Sequence, residues 1–126
     1  MKHTLLAVGI LLLCIAFSVC SAVCVIRGCE QTSDALRQSL RAVENGDLNR
    51  AAQYLKQADN CWDHREPFFG IVLRHEEADE VLTSLAELEQ YVQIGDLDDY
   101  RAVCARLLTA IGHLREMELP KVSNIL

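Results

Sequence analysis

From Thr4 to Ile26 the chain runs through 23 consecutive residues without a charge, 19 of them apolar. A helix rises about 1.5 Å per residue, so this run spans roughly 35 Å, enough to cross a hydrocarbon core of about 30 Å with modest tilt. Cleavable signal peptides usually carry an apolar region of about 7 to 15 residues before a small-x-small site. The longer run points to a retained single-pass anchor that meets membrane lipid through residues 4–26. Cleavage at Cys20-Ser21-Ala22 is the alternative, and a lipidated cysteine is the third; Cys20 and Cys24 each follow Val, whereas Cys29 follows Gly28. Lys2 and the amino terminus flank the run on one side, while Arg27 is offset by Glu30 on the other. That bias sets the N-terminus inside and the remainder of the chain on the extracytoplasmic side of the cell membrane.

The anchor distorts the bulk composition. The whole chain is 51% apolar, but residues 31–126 contain 43 apolar residues in 96, an ordinary soluble proportion. They carry 10 Lys and Arg against 17 Asp and Glu, which excludes a general nucleic-acid binder. The expected plan is therefore an anchor or signal segment over residues 1–28 and one acidic domain over residues 29–126.

That domain reads as all-α. Its apolar residues recur at steps of three or four in four stripes: Leu36, Leu40 and Val43; Leu48, Ala51, Leu55, Ala58 and Trp62; Ala78, Val81, Leu82, Leu85, Leu88 and Val92; Leu97, Tyr100, Cys104, Leu107, Ile111 and Leu114. Asn45-Gly46-Asp47-Leu48 and Ile94-Gly95-Asp96-Leu97 each supply Gly for a left-handed helix end, then Asp for the next N-cap. The pattern predicts an N-terminal transmembrane or signal-anchor helix followed by an antiparallel four-helix bundle made of two helical hairpins. Pro67 suits a first helical position, which starts the third helix near residue 67. The segment from Pro120 leaves the helix pattern. The stretch from Gly46 to Leu55 also looks like part of a tetratricopeptide hairpin, although such arrays repeat about every 34 residues.

Three groups of side chains are candidates for chemistry. Cys29 lies 17 residues before Gly46 and Cys61 lies 15 after it, so the two fall at similar heights on neighbouring helices and a disulfide is allowed. His75 and Asp79 are four apart on one helix face, and counting back through Gly95 puts His75 level with the region of His113 and Glu116. These four residues make a candidate divalent-metal set, though the pattern is not His-Glu-x-x-His, and an acidic run on a solvated face is the simpler reading. Trp62, Phe68 and Phe69 bracket the bend at Pro67, either as the plug of the core or as an apolar patch for a partner or the membrane surface. No nucleophile with a base, no Gly-rich phosphate loop and no Cys-x-x-Cys pair is present, and no cofactor is expected.

The order Trp62, His75-Glu76-Glu77-Ala78-Asp79, Ser84-Leu85-Ala86-Glu87-Leu88, Tyr91 and Asn124-Ile125-Leu126 resembles the domain-of-unknown-function family 4363, small proteins mostly of Clostridia and related bacteria. The resemblance implies an N-terminal hydrophobic helix, a short helical domain and an integral membrane protein as neighbour. Ala78 and Glu87 depart from the family pattern, which favours a bulkier aliphatic and a basic residue there. The expected function is a non-enzymatic helical interaction module that binds another membrane or envelope protein, with His75, Asp79, Trp62, Phe68 and Phe69 as candidate binding residues. A metal-binding or metal-dependent hydrolytic domain and tetratricopeptide-like peptide binding are the alternatives.

Overall fold

A computed structural model describes residues 1–65 and 75–125, except for the side chains of His75 and of residues 118–125. It contains four helices: α1 (Lys2–Glu44), α2 (Leu48–Asp63), α3 (His75–Ile94) and α4 (Leu97–Ile125). Among the described residues there is no strand. Helix α1 packs against α2 and α4, and α3 packs against α4 and, more loosely, α2, which gives a helical bundle.

Both turns form as the residues dictate. Gly46 has φ +78° and Gly95 φ +77°, a left-handed conformation that costs any residue with a Cβ. The Asp47 N–H donates to the Ala42 carbonyl at 2.9 Å and the Asp96 N–H to the Tyr91 carbonyl at 3.0 Å, closing the wide loop of a glycine-ended helix. Each Asp then caps the next helix: Asp47 accepts from the Arg50 N–H at 3.1 Å, and Asp96 from the Asp99 N–H at 3.2 Å. Asp99 is held above the ordinary carboxylate range, chiefly by its hydrogen bond to Asp96 and then by the negative charges of Asp96 and Asp98.

The structure departs from the expected plan at α1. Anchor and first bundle helix are one unbroken 43-residue helix, so the expected boundary at residues 28 and 29 falls inside it. Burial begins at Ser21, within the apolar run, and continues through Ala22, Val25, Cys29, Thr32, Leu36, Ser39 and Val43. From Ala22 these alternate at steps of three and four, the spacing of a coiled-coil seam. Ser21, Gly28, Ala35 and Ala42, also buried, recur every seven residues beside it. No proline lies within α1, and its glycines, Gly9 and Gly28, do not break it. A second departure is at the C-terminus, where α4 continues through Pro120 to Ile125. A helical proline forfeits one backbone hydrogen bond but does not end a helix that the turns on either side continue. The expected helix start at Pro67 lies outside the described residues.

The core is formed by the predicted stripes: Leu36, Val43, Ala51, Leu55, Ala58, Trp62, Val81, Leu85, Leu88, Val92, Tyr100, Cys104, Leu107, Ile111 and Leu114 are buried. At its centre three helices share one chain of hydrogen bonds. The Ser39 hydroxyl donates to the Ala51 carbonyl at 2.8 Å, so its only proton is committed to α2. The buried Tyr100 hydroxyl of α4 therefore donates to Ser39 Oγ. One turn away the Cys104 thiol points at the Leu36 carbonyl at 3.9 Å. Burial pushes Tyr100 up to about 12 and the Cys104 thiol up to about 11.

Two outcomes are expected for the full chain in detergent. Ser39→Ala strands the buried Tyr100 hydroxyl and costs about 1–3 kcal/mol, whereas Tyr100→Phe removes only one partner of a still-bonded Ser39 and costs about 0.5–1.5 kcal/mol. Urea denaturation ranks the two variants, and an equal or reversed order contradicts the assigned donor. Because both raised groups are protonated in the fold and ionise earlier when unfolded, their stabilisation is complete below pH 9. It is lost as pH rises through the Cys104 window from 9.0 to about 11 and the Tyr100 window from 10.0 to about 12. Tyr100→Phe combined with Cys104→Ala flattens that alkaline loss in pH-dependent melting.

Candidate functional site

The loosest of the four helix seams, between α2 and α3, opens into a groove of about 440 Å³. Leu55, Leu82, Leu85 and Val92 form its apolar floor, and Lys56, Asp59, Asn60, Glu89 and Gln93 its polar rim. On the α2 side only Ala52 and Leu55 offer apolar surface to the groove, so little fills the space between the helices. Asp59 is half-buried at the rim, and its carboxyl is held above the usual carboxylate range, first by burial and then by the negative charges of Asp63 and Glu89. An acid in that setting gains from a cation placed beside it.

The expected metal set is divided by the fold. His113 lines a second groove, between α3 and α4, with Glu77, Glu80, Val81, Ala110, Leu114 and Met117. Asp79 is exposed and shares by spacing the face of Leu82, Ala86, Glu89 and Gln93, which looks toward α2 instead. Glu116 is exposed, and the His75 side chain lies outside the described residues. Helix rotation explains the split: Glu77, Glu80 and Val81 face α4, and Asp79 is turned about 100° from Glu80. Among the described residues no three His, Cys, Asp or Glu side chains are grouped to hold a metal ion.

Trp62 is fully buried in the core, which corrects its reading as part of an exposed binding patch. It belongs to the same core cluster as Cys29 and Leu36 of α1. Phe68 and Phe69 lie outside the described residues. Cys29 is buried on α1, and Cys61 lines a shallow polar groove with Gln31, Asp34, Ala35, Gln38 and Gln57; the structure places no bridge between them. Arg65 ties that end of α2 to α1, donating to the Cys24 carbonyl and to Gln31 Oε1, both at 2.9 Å. Glu87, the position where a basic residue would be usual, is paired with Arg106 at 3.7 Å.

Sequence reasoning missed Asp59, Glu89 and the polar centre at Ser39. The available signal was the three-and-four spacing of Ala22, Val25, Cys29, Thr32, Leu36, Ser39 and Val43, hidden because hydroxyls and small side chains do not register as a core stripe. Asp59 and Glu89 are 30 positions apart, and only the loose packing of α2 on α3 puts them on one rim.

Comparison with curated proteins and with solved structures returns no match. A family model described as a domain of unknown function (DUF4363) matches residues 20–125, beginning where the first buried residues of α1 begin, and the chain belongs to that family.

Proposed function

We propose that this protein is a membrane-anchored, extracytoplasmic interaction module: an antiparallel four-helix bundle that docks a helix of another membrane or envelope protein in its α2–α3 groove. The observation that carries this reading is the groove itself, whose apolar floor of Leu55, Leu85 and Val92 opens at the half-buried Leu82 beside an acid that burial and like charges hold above its usual range. The occupant that fits is a helix with an apolar face and a Lys or Arg that reaches Asp59 and Glu89. Such a contact buries leucine surface and pairs the charges at once.

The antiparallel reading is supported by the order of cross-helix contacts. On α1 and α2, Ser39 meets Ala51 while Cys24 meets Arg65; on α1 and α4, Ser39 meets Tyr100, Leu36 meets Cys104 and Glu30 meets Arg115. Numbers fall on one helix as they rise on the other. The anchor reading is supported by α1, the one described helix long and apolar enough to cross a membrane. Leu11, Leu12 and Leu13 are all exposed, so the rod is apolar on every side. A retained anchor also fits the burial of Ser21 and Ala22, since cleavage after Ala22 would remove both from the bundle. Cys29 is equally buried, which disfavours it as a lipidation site. The helices, at 43, 16, 20 and 29 residues, are too unequal to favour a tetratricopeptide unit.

Two experiments test this function. A photo-crosslinker at Ala86, in the groove, is expected to form an adduct in native membranes that one at exposed Thr109 does not, and Asp59→Asn with Glu89→Gln is expected to suppress it. Recovery of the protein alone, or an adduct indifferent to both substitutions, overturns the docking site. Protease added to the outside of intact spheroplasts is expected to digest residues 29–126, while protection until lysis reverses the topology.

A further inference from the structure

The length of the exposed rod does not match the length of the apolar run. Residues 4–20, below the first buried residue, span about 25 Å, whereas the hydrocarbon core is about 30 Å thick. Tilt widens the shortfall. The next residues up, Ser21, Ala22 and Val25, are uncharged and belong to the core of the bundle. Arg27, exposed on α1, is the first charge after Lys2. We infer that the base of the bundle is sunk into the bilayer, with the Ser21–Val25 turn in the hydrocarbon layer and Arg27 and Arg65 at the phosphates of the phospholipid headgroups.

Two neighbouring elements fit this depth. The Arg65 guanidinium is fixed to the Cys24 carbonyl, level with the upper end of the apolar run, where a charged group at the end of a long side chain reaches the headgroup layer. Helix α4 meets α1 at the 2.8 Å contact between Arg115 and Glu30, then continues to Ile125. Those ten further residues extend about 15 Å, which brings the end of α4 alongside α1 near residue 20. Two helices of the bundle therefore enter the membrane surface together. The domain is seated on the bilayer and not held off it by a linker, which fixes the height of the α2–α3 groove above the membrane.

This inference rests on the retained anchor, and the test separates the two. Val23→Trp places a reporter in the half-exposed part of the Ser21–Val25 turn, while Trp62, the only native tryptophan, is buried in the core and serves as the shielded reference. The full chain is reconstituted in phosphatidylcholine vesicles whose acyl chains carry bromine either close to the headgroup or at the chain end. The expected result is that the emission added by Val23→Trp is lost with the shallow bromine and lost less with the deep one, in protein that resists extraction by alkaline carbonate. Carbonate-resistant protein whose emission ignores both lipids overturns the seated base and leaves the anchor standing. Extraction by carbonate overturns the anchor and the seated base together.

Discussion

The structure depends on α1 being continuous from an exposed apolar rod into a packed bundle. Through residue 18 the helix is apolar and exposed on every face. Above it the same helix has a seam of small residues on which α2 and α4 close. A helix cannot turn or slide between these two parts without breaking backbone hydrogen bonds, so the apolar rod and the bundle share one axis and one rotation. The family match beginning at residue 20 agrees with that arrangement, because the folded unit begins inside the apolar run.

Small residues on α1 decide how the other helices meet. Ser21, Gly28, Ala35 and Ala42 are buried small residues along α1, and among the described residues Trp62 and Tyr100 are the two largest fully buried side chains of the same core. Close approach also makes Ser39 a usable centre: its hydroxyl reaches Ala51 on α2 while Tyr100 reaches it from α4. An alanine at position 39 would fit the same space and lose both. The polar bonds thus specify which helix lies on which side of α1, a choice that apolar packing alone leaves degenerate. Helix α3, which touches α1 least, is outside this arrangement, and the open groove lies on its side.

Much of the fold was legible from local chemistry. The two Gly-Asp turns require left-handed glycines and aspartate caps whatever surrounds them, and the stripes around Leu55, Leu88 and Leu107 repeat with helical period. The Ser39–Tyr100 contact was not legible, since hydroxyls at buried positions look like surface residues until the helices that cover them are in place. The described members of the metal set are divided for a related reason. Counting residues along two helices gives their heights but not their rotation, and a turn of about 100° separates Asp79 from the face that meets His113. The continuation of α4 past Pro120 was hidden as well, because the cost of proline in a helix interior is visible locally and the context that offsets it is not.

By itself the sequence determined an apolar rod, an acidic helical domain, the positions of both hairpin turns and most of the core, because each follows from the identity and spacing of residues near one another in the chain. The tertiary structure alone decided that rod and domain share one helix, that Trp62 is buried, that His113 faces Glu77 and Glu80 instead of Asp79, and that Asp59 and Glu89 rim one groove. These depend on the rotation and closeness of helices far apart in sequence, which are set by how small and large side chains fit together across the seams.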